Sequence, residues 1–143
     1  MIRLHEIRRV LKTQPEVFAY TAAFDNSADW HPSIMTAKQV SDGPPGIGTT
    51  YEVEVRFGGA KLPMTYEVAE FEPHYRLVLK GRGPNVEAVD EVRFIEDGEN
   101  TVIDYTTTLN FDNWVGFVQP LARPVIKRVG ARAIDALVAS LEG

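Results

Sequence analysis

"TYEVEVRFGGAKLPMTYEVAEF", Thr50 to Phe71, alternates apolar and polar side chains in two runs separated by a pair of glycines. Tyr51, Val53, Val55 and Phe57 share one face, while Glu52, Glu54 and Arg56 share the other. Leu62, Met64, Tyr66 and Val68 then continue in phase. A period of two marks a strand buried on one side, and "GGAK" has the composition of a hairpin turn. A strand covered on both faces would read as a continuous apolar run instead. The stretch is therefore an antiparallel hairpin with an apolar inner face and a charged outer face.

The same grammar extends in both directions. "EPHY" turns the chain into "RLVLKG", a strand through Leu77 and Leu79. "VEAVDEVRF" places Val86, Ala88, Asp90, Val92 and Phe94 in one phase, and "EDGEN" is the next turn. "TVIDYTTTLNF" places Ile103, Tyr105, Thr107, Leu109 and Phe111 in phase. Upstream, "SIMTAKQV" is a weaker strand and "SDGPPGIG" a loop of turn formers. "MIRLHEIRRVLK" reads as a first strand whose charges leave its inward face unassigned.

Two segments are helical. "TQPEVFAYTAAF" starts with Thr13 as a cap, Pro15 in the first turn and Glu16 completing a capping box. Val17, Phe18, Thr21 and Phe24 then share a face, and "DNSADW" follows as a second short helix or turn. From about Val115 to Leu141 helical spacing returns through Val118, Leu121, Val125, Val129, Ala133 and Leu137. Pro120 and Pro124 predict a short lead-in helix or a kink before the regular part. Arg123, Lys127, Arg128, Arg132 and Asp135 form a solvated polar face.

A block of strands followed by one long helix is an α+β arrangement. Six or seven twisted strands curl, and the long helix lies across the concave side with space left between them. The 143 residues are read as a single domain, 1–143, with a sizeable core. A net charge of −5 argues against nucleic acid as the partner. With no cysteine, disulfides and thiolate chemistry are excluded. Neither an apolar leader nor a run of about 18 apolar residues is present, so no integral membrane insertion and a cytoplasmic location are expected.

On "PEVFAYTAAFDNSADWHP", "GPPGIGTTYEV", "YEVAEFEPHYRLVLKG", "AVDEVRF" and "TVIDYTTTL", which together span nearly the whole chain, the protein resembles the START-like helix-grip superfamily (SRPBCC). Within it, the resemblance is to the polyketide cyclase/dehydrase and lipid-transport group. The resemblance implies a helix-grip fold with a deep apolar pocket between the curled sheet and the C-terminal helix. It implies a hydrophobic ligand such as a lipid, sterol or polyketide, with cyclisation or dehydration catalysed by a minority of members. No catalytic motif is common to that family, so none is carried onto this chain.

Asp90 is the residue with the most chemical content, because its phase points it inward with Val92 and Phe94. A carboxylate in an apolar interior is unfavourable unless partnered, and burial raises its pKa, which suits a general acid or base. The alternative is a structural carboxylate bonded to a tyrosine or a backbone amide. Tyr51, Tyr66 and Tyr105 share the inward phase and could line a pocket or simply pack. Trp30 and His31, in "DNSADWHPSI", are expected near the pocket mouth, or else as a core plug beside an exposed histidine. Val53, Val55, Leu79, Leu121, Val125 and Val129 complete the expected ligand-binding set. His5, His31 and His74 lack metal-ligand spacing, so no metal is expected, and no cofactor is implied. "GPPGIG" lacks the Lys-Ser/Thr ending of a phosphate loop, and no Gly-x-Ser-x-Gly occurs.

Three functions remain open. The first is binding of a hydrophobic small molecule, as carrier or sensor. The second is a cyclase or dehydratase in which Asp90 is the tentative catalytic residue, assisted by tyrosine hydroxyls. The third is a protein-interaction module whose cavity is filled. A homodimer is left open.

Overall fold

The computed structural model describes the backbone of residues 1–57, 59–112 and 119–143, and the side chains of these apart from 57 and 119–123. The strands are β1 (Ile2–Val10), β2 (Ile34–Gln39), β3 (Thr50–Phe57), β4 (Ala60–Glu72), β5 (Arg76–Gly83), β6 (Val86–Asp97) and β7 (Asn100–Phe111). The helices are α1 (Gln14–Ala22), a 3₁₀ turn (Phe24–Asn26), α2 (Ser27–Trp30) and α3 (Gln119–Glu142). The strands form one antiparallel sheet in the order β1-β7-β6-β5-β4-β3-β2. β1 and β2 are thus the two edges, and the short helices carry the chain from one edge to the other. This is the expected helix-grip arrangement.

Register follows the apolar alternation, because slipping by one residue would turn every buried side chain outward. In β6 the residues Val86, Ala88, Asp90, Val92 and Phe94 are all buried and face inward. The turns carry residues able to adopt positive φ. Gly98 (φ 64°) lies between the paired Asp97 and Asn100, Asn85 (φ 60°) lies between Gly83 and Val86, and His74 (φ 73°) lies between Glu72 and Arg76. His74 is therefore a turn residue, with its ring edge-on to Phe18 at 6.0 Å.

β1 now has a definite inward face. Ile2 and Val10 are buried at its ends, and Leu4, Glu6 and Arg8 are half-buried between them. Charges occupy inward positions here because α3 supplies a partner: Arg8 Nε donates to Asp135 Oδ1 at 2.8 Å. Gly130 lets the helix approach the strand, since a Cβ on it would lie 3.0 Å from Leu4 Cδ1. Near the helix end, Leu11 N–H donates to Glu142 Oε2 at 2.8 Å.

One local expectation is corrected. Thr13 precedes α1, but its hydroxyl donates to Glu16 Oε1 at 2.8 Å instead of accepting a backbone N–H. The helix therefore opens without the reciprocal capping box. Pro124 lies inside α3, and the helix runs continuously from Gln119. Pro120 sits in the first turn, where no intrahelical donor is lost. A separate lead-in helix would fall at 113–118, outside the described residues.

Candidate functional site

Between the concave face of the sheet and α3 lies a cavity of about 400 Å³. That volume falls in the range of sites for drug-sized ligands. Its walls are mostly apolar: Leu62 and Met64 from β4, Leu109 and Phe111 from β7, and Ile126 and Ala133 from α3. Polar side chains are few, and they include Asp90, Tyr66, Tyr105 and Thr107 from neighbouring strands.

Asp90 is centred on the concave face, opposite Leu79 on one side and Thr107 on the other. Only 7% of its surface is exposed. Tyr105 O–H donates to Asp90 Oδ2 at 2.7 Å. Oδ1 is buried without a hydrogen-bond partner; Ser27 Oγ shares that condition among the described residues. Burial pushes the Asp90 carboxyl up to about 6, against the opposing effect of Tyr105 and Thr107, which favour the charged form. Thr107 acts by proximity, without a regular hydrogen bond to Oδ1. The hydroxyls of Tyr66 and Tyr105 are held well above the usual phenol range by burial and by the nearby Asp90 charge. Both remain protonated donors.

Trp30 is buried, lines the cavity, and sets its ring edge-on to Tyr105 with centroids 6.5 Å apart. His31 also lines the cavity. It keeps part of its surface open, yet its ring is surrounded by protein, which pushes its pKa down to about 4. Its Nδ1 accepts the Ser33 N–H at 3.1 Å, so the neutral ring carries its proton on Nε2. "DNSADWHPSI" is therefore both a core plug and a piece of cavity wall: Trp30 does the first and both residues do the second.

Val55, Tyr66, Asp90, Tyr105, Val125 and Val129 also line the cavity. Tyr51, Val53 and Leu79 do not; each is buried in the core. The reason for Tyr51 is visible: its hydroxyl donates to the Ala22 carbonyl at 3.2 Å, and its ring meets Phe24. The short helices cover that part of the concave face, so shared phase does not mean shared access. The side chain of Leu121 lies outside the described residues.

Sequence reasoning missed Glu6, Phe24 and Arg56 in the cavity lining. Glu6 was hidden by the broken alternation of β1. Phe24 was read only as part of a helical face. Arg56 follows the charged phase of β3 but reaches the rim where its N–H bonds the Ser33 carbonyl at 2.7 Å and β2 shifts register.

Residues 3–142 match the family described as polyketide cyclase / dehydrase and lipid transport. The chain belongs to this family. Solved structures share the fold of this polyketide cyclase/dehydrase and lipid-transport member over nearly its whole length. TTHA0849 from Thermus thermophilus has a TM-score of 0.82 at 14% identity, covering 97% of this chain and 96% of that one. The ZhuI aromatase/cyclase from a Streptomyces species has a TM-score of 0.76 at 16% identity, covering 98% and 93%. A START superfamily protein from Mycobacterium smegmatis has a TM-score of 0.74 at 14% identity, covering 99% and 94%. At such identities the likeness is one of fold. Comparison with curated protein sequences returned no match. Among the described residues, no group of three or more His, Asp or Glu could hold a metal ion, and no helix is long and apolar enough to cross a membrane.

Proposed function

We propose that this protein binds one hydrophobic small molecule between the sheet and α3, as a cytoplasmic carrier or sensor. The observation that carries the reading is the cavity of about 400 Å³ with apolar walls and a buried Asp90–Tyr105 pair. A packed interior would bring the two layers together, as close-packing normally demands. An open apolar volume of this size sacrifices dispersion contacts that a ligand would restore. Native mass spectrometry of protein isolated from its own cells tests the reading. A retained organic mass, released on denaturation, is expected; a bare chain together with failure to take up neutral apolar probes would overturn it.

A second reading is favoured by one observation, the Asp90 carboxyl at about 6 beside tyrosine hydroxyls. Such a group exchanges protons readily near neutral pH, as a general acid or base must. In a cyclase or dehydratase, Asp90 would take a proton from carbon beside a ketone while the Tyr66 hydroxyl donates to the ketone oxygen. Asp90→Asn separates the readings: binding kept and turnover lost supports the enzyme, whereas no turnover by the parent protein on ketone-bearing substrates supports the carrier.

A further inference from the structure

We infer that the ligand's polar group is a neutral hydroxyl seated between Asp90 and Tyr66; this rests on the cavity being a ligand site. Asp90 Oδ1 lacks a hydrogen bond although it is buried, and such an orphan acceptor is unfavourable unless something donates to it. Of the two wall hydroxyls that favour the carboxylate, Tyr105 is committed to Oδ2 at 2.7 Å, and Thr107 lies opposite Asp90 without a hydrogen bond of regular geometry to Oδ1. The Tyr66 hydroxyl belongs to the same cavity wall and is close enough to Asp90 to feel its charge. The wall therefore offers one acceptor and one donor to the same cavity. A hydroxyl can satisfy both, donating to Asp90 and accepting from Tyr66.

The other common head groups fit worse. A carboxylate only accepts, and it would meet two carboxyl groups in the lining, Glu6 and Asp90. Among the described residues, Arg56 is the one arginine or lysine side chain lining the cavity, and it is exposed at the rim. His31 in the wall is held neutral by burial. A protonated amine is drawn by those two carboxyls, but it only donates and gives the Tyr66 hydroxyl no acceptor. It must also surrender its hydration to pair in an apolar space, where the desolvation cost offsets the attraction. The geometry therefore favours alcohols or phenols over free fatty acids and amines.

The test is displacement of N-phenylnaphthylamine, a neutral apolar probe, by decanol, decanoate and decylamine at pH 8. Decanol is expected to bind about tenfold or more tighter than either ionic analogue, the scale of one charge-assisted hydrogen bond. Tyr66→Phe keeps the ring and should weaken decanol alone. Asp90→Asn gives the wall a donor toward decanoate and should shrink the decanol-to-decanoate ratio toward unity. Two results would overturn the inference while leaving the cavity as a ligand site. One is equal affinity for all three; the other is tightest binding of decanoate or decylamine, with Arg56→Ala weakening decanoate and neither wall variant mattering. No uptake of any probe would overturn the binding reading and this inference with it.

Discussion

The Tyr105 hydroxyl donates to Asp90 Oδ2 at 2.7 Å while the second oxygen of the same carboxyl is buried without a partner. Tyr105 and Thr107 favour the carboxylate, but burial outweighs them and raises the group to about 6. The folded state thus holds the Asp90 proton more tightly than the unfolded chain, whose carboxyl titrates near 3.8. Stability from this group is full below pH 3.8 and is lost as pH rises to about 6. The loss is about 3 kcal/mol. Urea unfolding of the parent and of Asp90→Asn across about pH 3.5 to 7 should show the parent losing stability relative to the variant through that window. A constant difference would mean the carboxyl is not desolvated. Glu6, His31, Arg56, Tyr66 and Tyr105 also line this cavity, so the comparison with the variant, and not the parent curve alone, carries the result.

His31 works in the opposite direction. Burial lowers it from 6.5 to about 4, so its contribution is present above pH 6.5 and is lost as pH falls toward 4. His31→Asn leaves an acceptor near the position of Nδ1 for the Ser33 N–H. That variant should lose less stability than the parent on acidification from pH 6.5 to about 4. An acid response equal to the parent's would place the imidazole in water.

The sheet and its register were legible because alternation states burial directly: Val86 to Phe94, Tyr51 to Val55 and Leu62 to Val68 occupy the phase their pattern implies. Asp90 could be found for the same reason, as a charge in an apolar phase. Its unpartnered oxygen could not, because partnership depends on where Tyr105 and Thr107 place their hydroxyls across strands. Phase also failed to divide core from cavity. Tyr51 and Tyr66 share it and pair directly, yet the first is sealed against Ala22 and the second lines the cavity. The inward face of β1 stayed unassigned because Glu6 and Arg8 are charges facing inward, where Arg8 pairs both with Glu6 and with Asp135, a helix residue over a hundred positions away.

Tyr66 owes its position to a missing side chain opposite it. A Cβ at Gly81 would lie 2.5 Å from Tyr66 Cε2, inside the ring's van der Waals surface. Gly81→Ala should therefore lower stability by about 1 to 3 kcal/mol, as overpacked cores do. It should also weaken probe binding by displacing the ring. Urea midpoints and a probe titration measure both, and an unchanged protein would mean that the ring has room to move.

Trp30 makes the cavity visible in solution. The chain has two tryptophans, so Trp114→Phe leaves Trp30 as the reporter. Its indole is buried in the cavity wall, and its emission should be blue-shifted and respond to a bound neutral probe. Trp30→Ala should destabilise the fold by about 3 to 5 kcal/mol. Emission typical of water, indifferent to probe, would remove Trp30 from the wall.

Uptake of N-phenylnaphthylamine by the parent protein and by Ala133→Phe is the most direct measurement of the cavity itself. Ala133 is buried on α3 and faces the open volume. One probe per chain is expected for the parent, and none for a variant that still unfolds cooperatively with a ring in that space. A folded parent that takes up no probe would contradict a ligand-holding interior, and so would equal uptake by parent and variant.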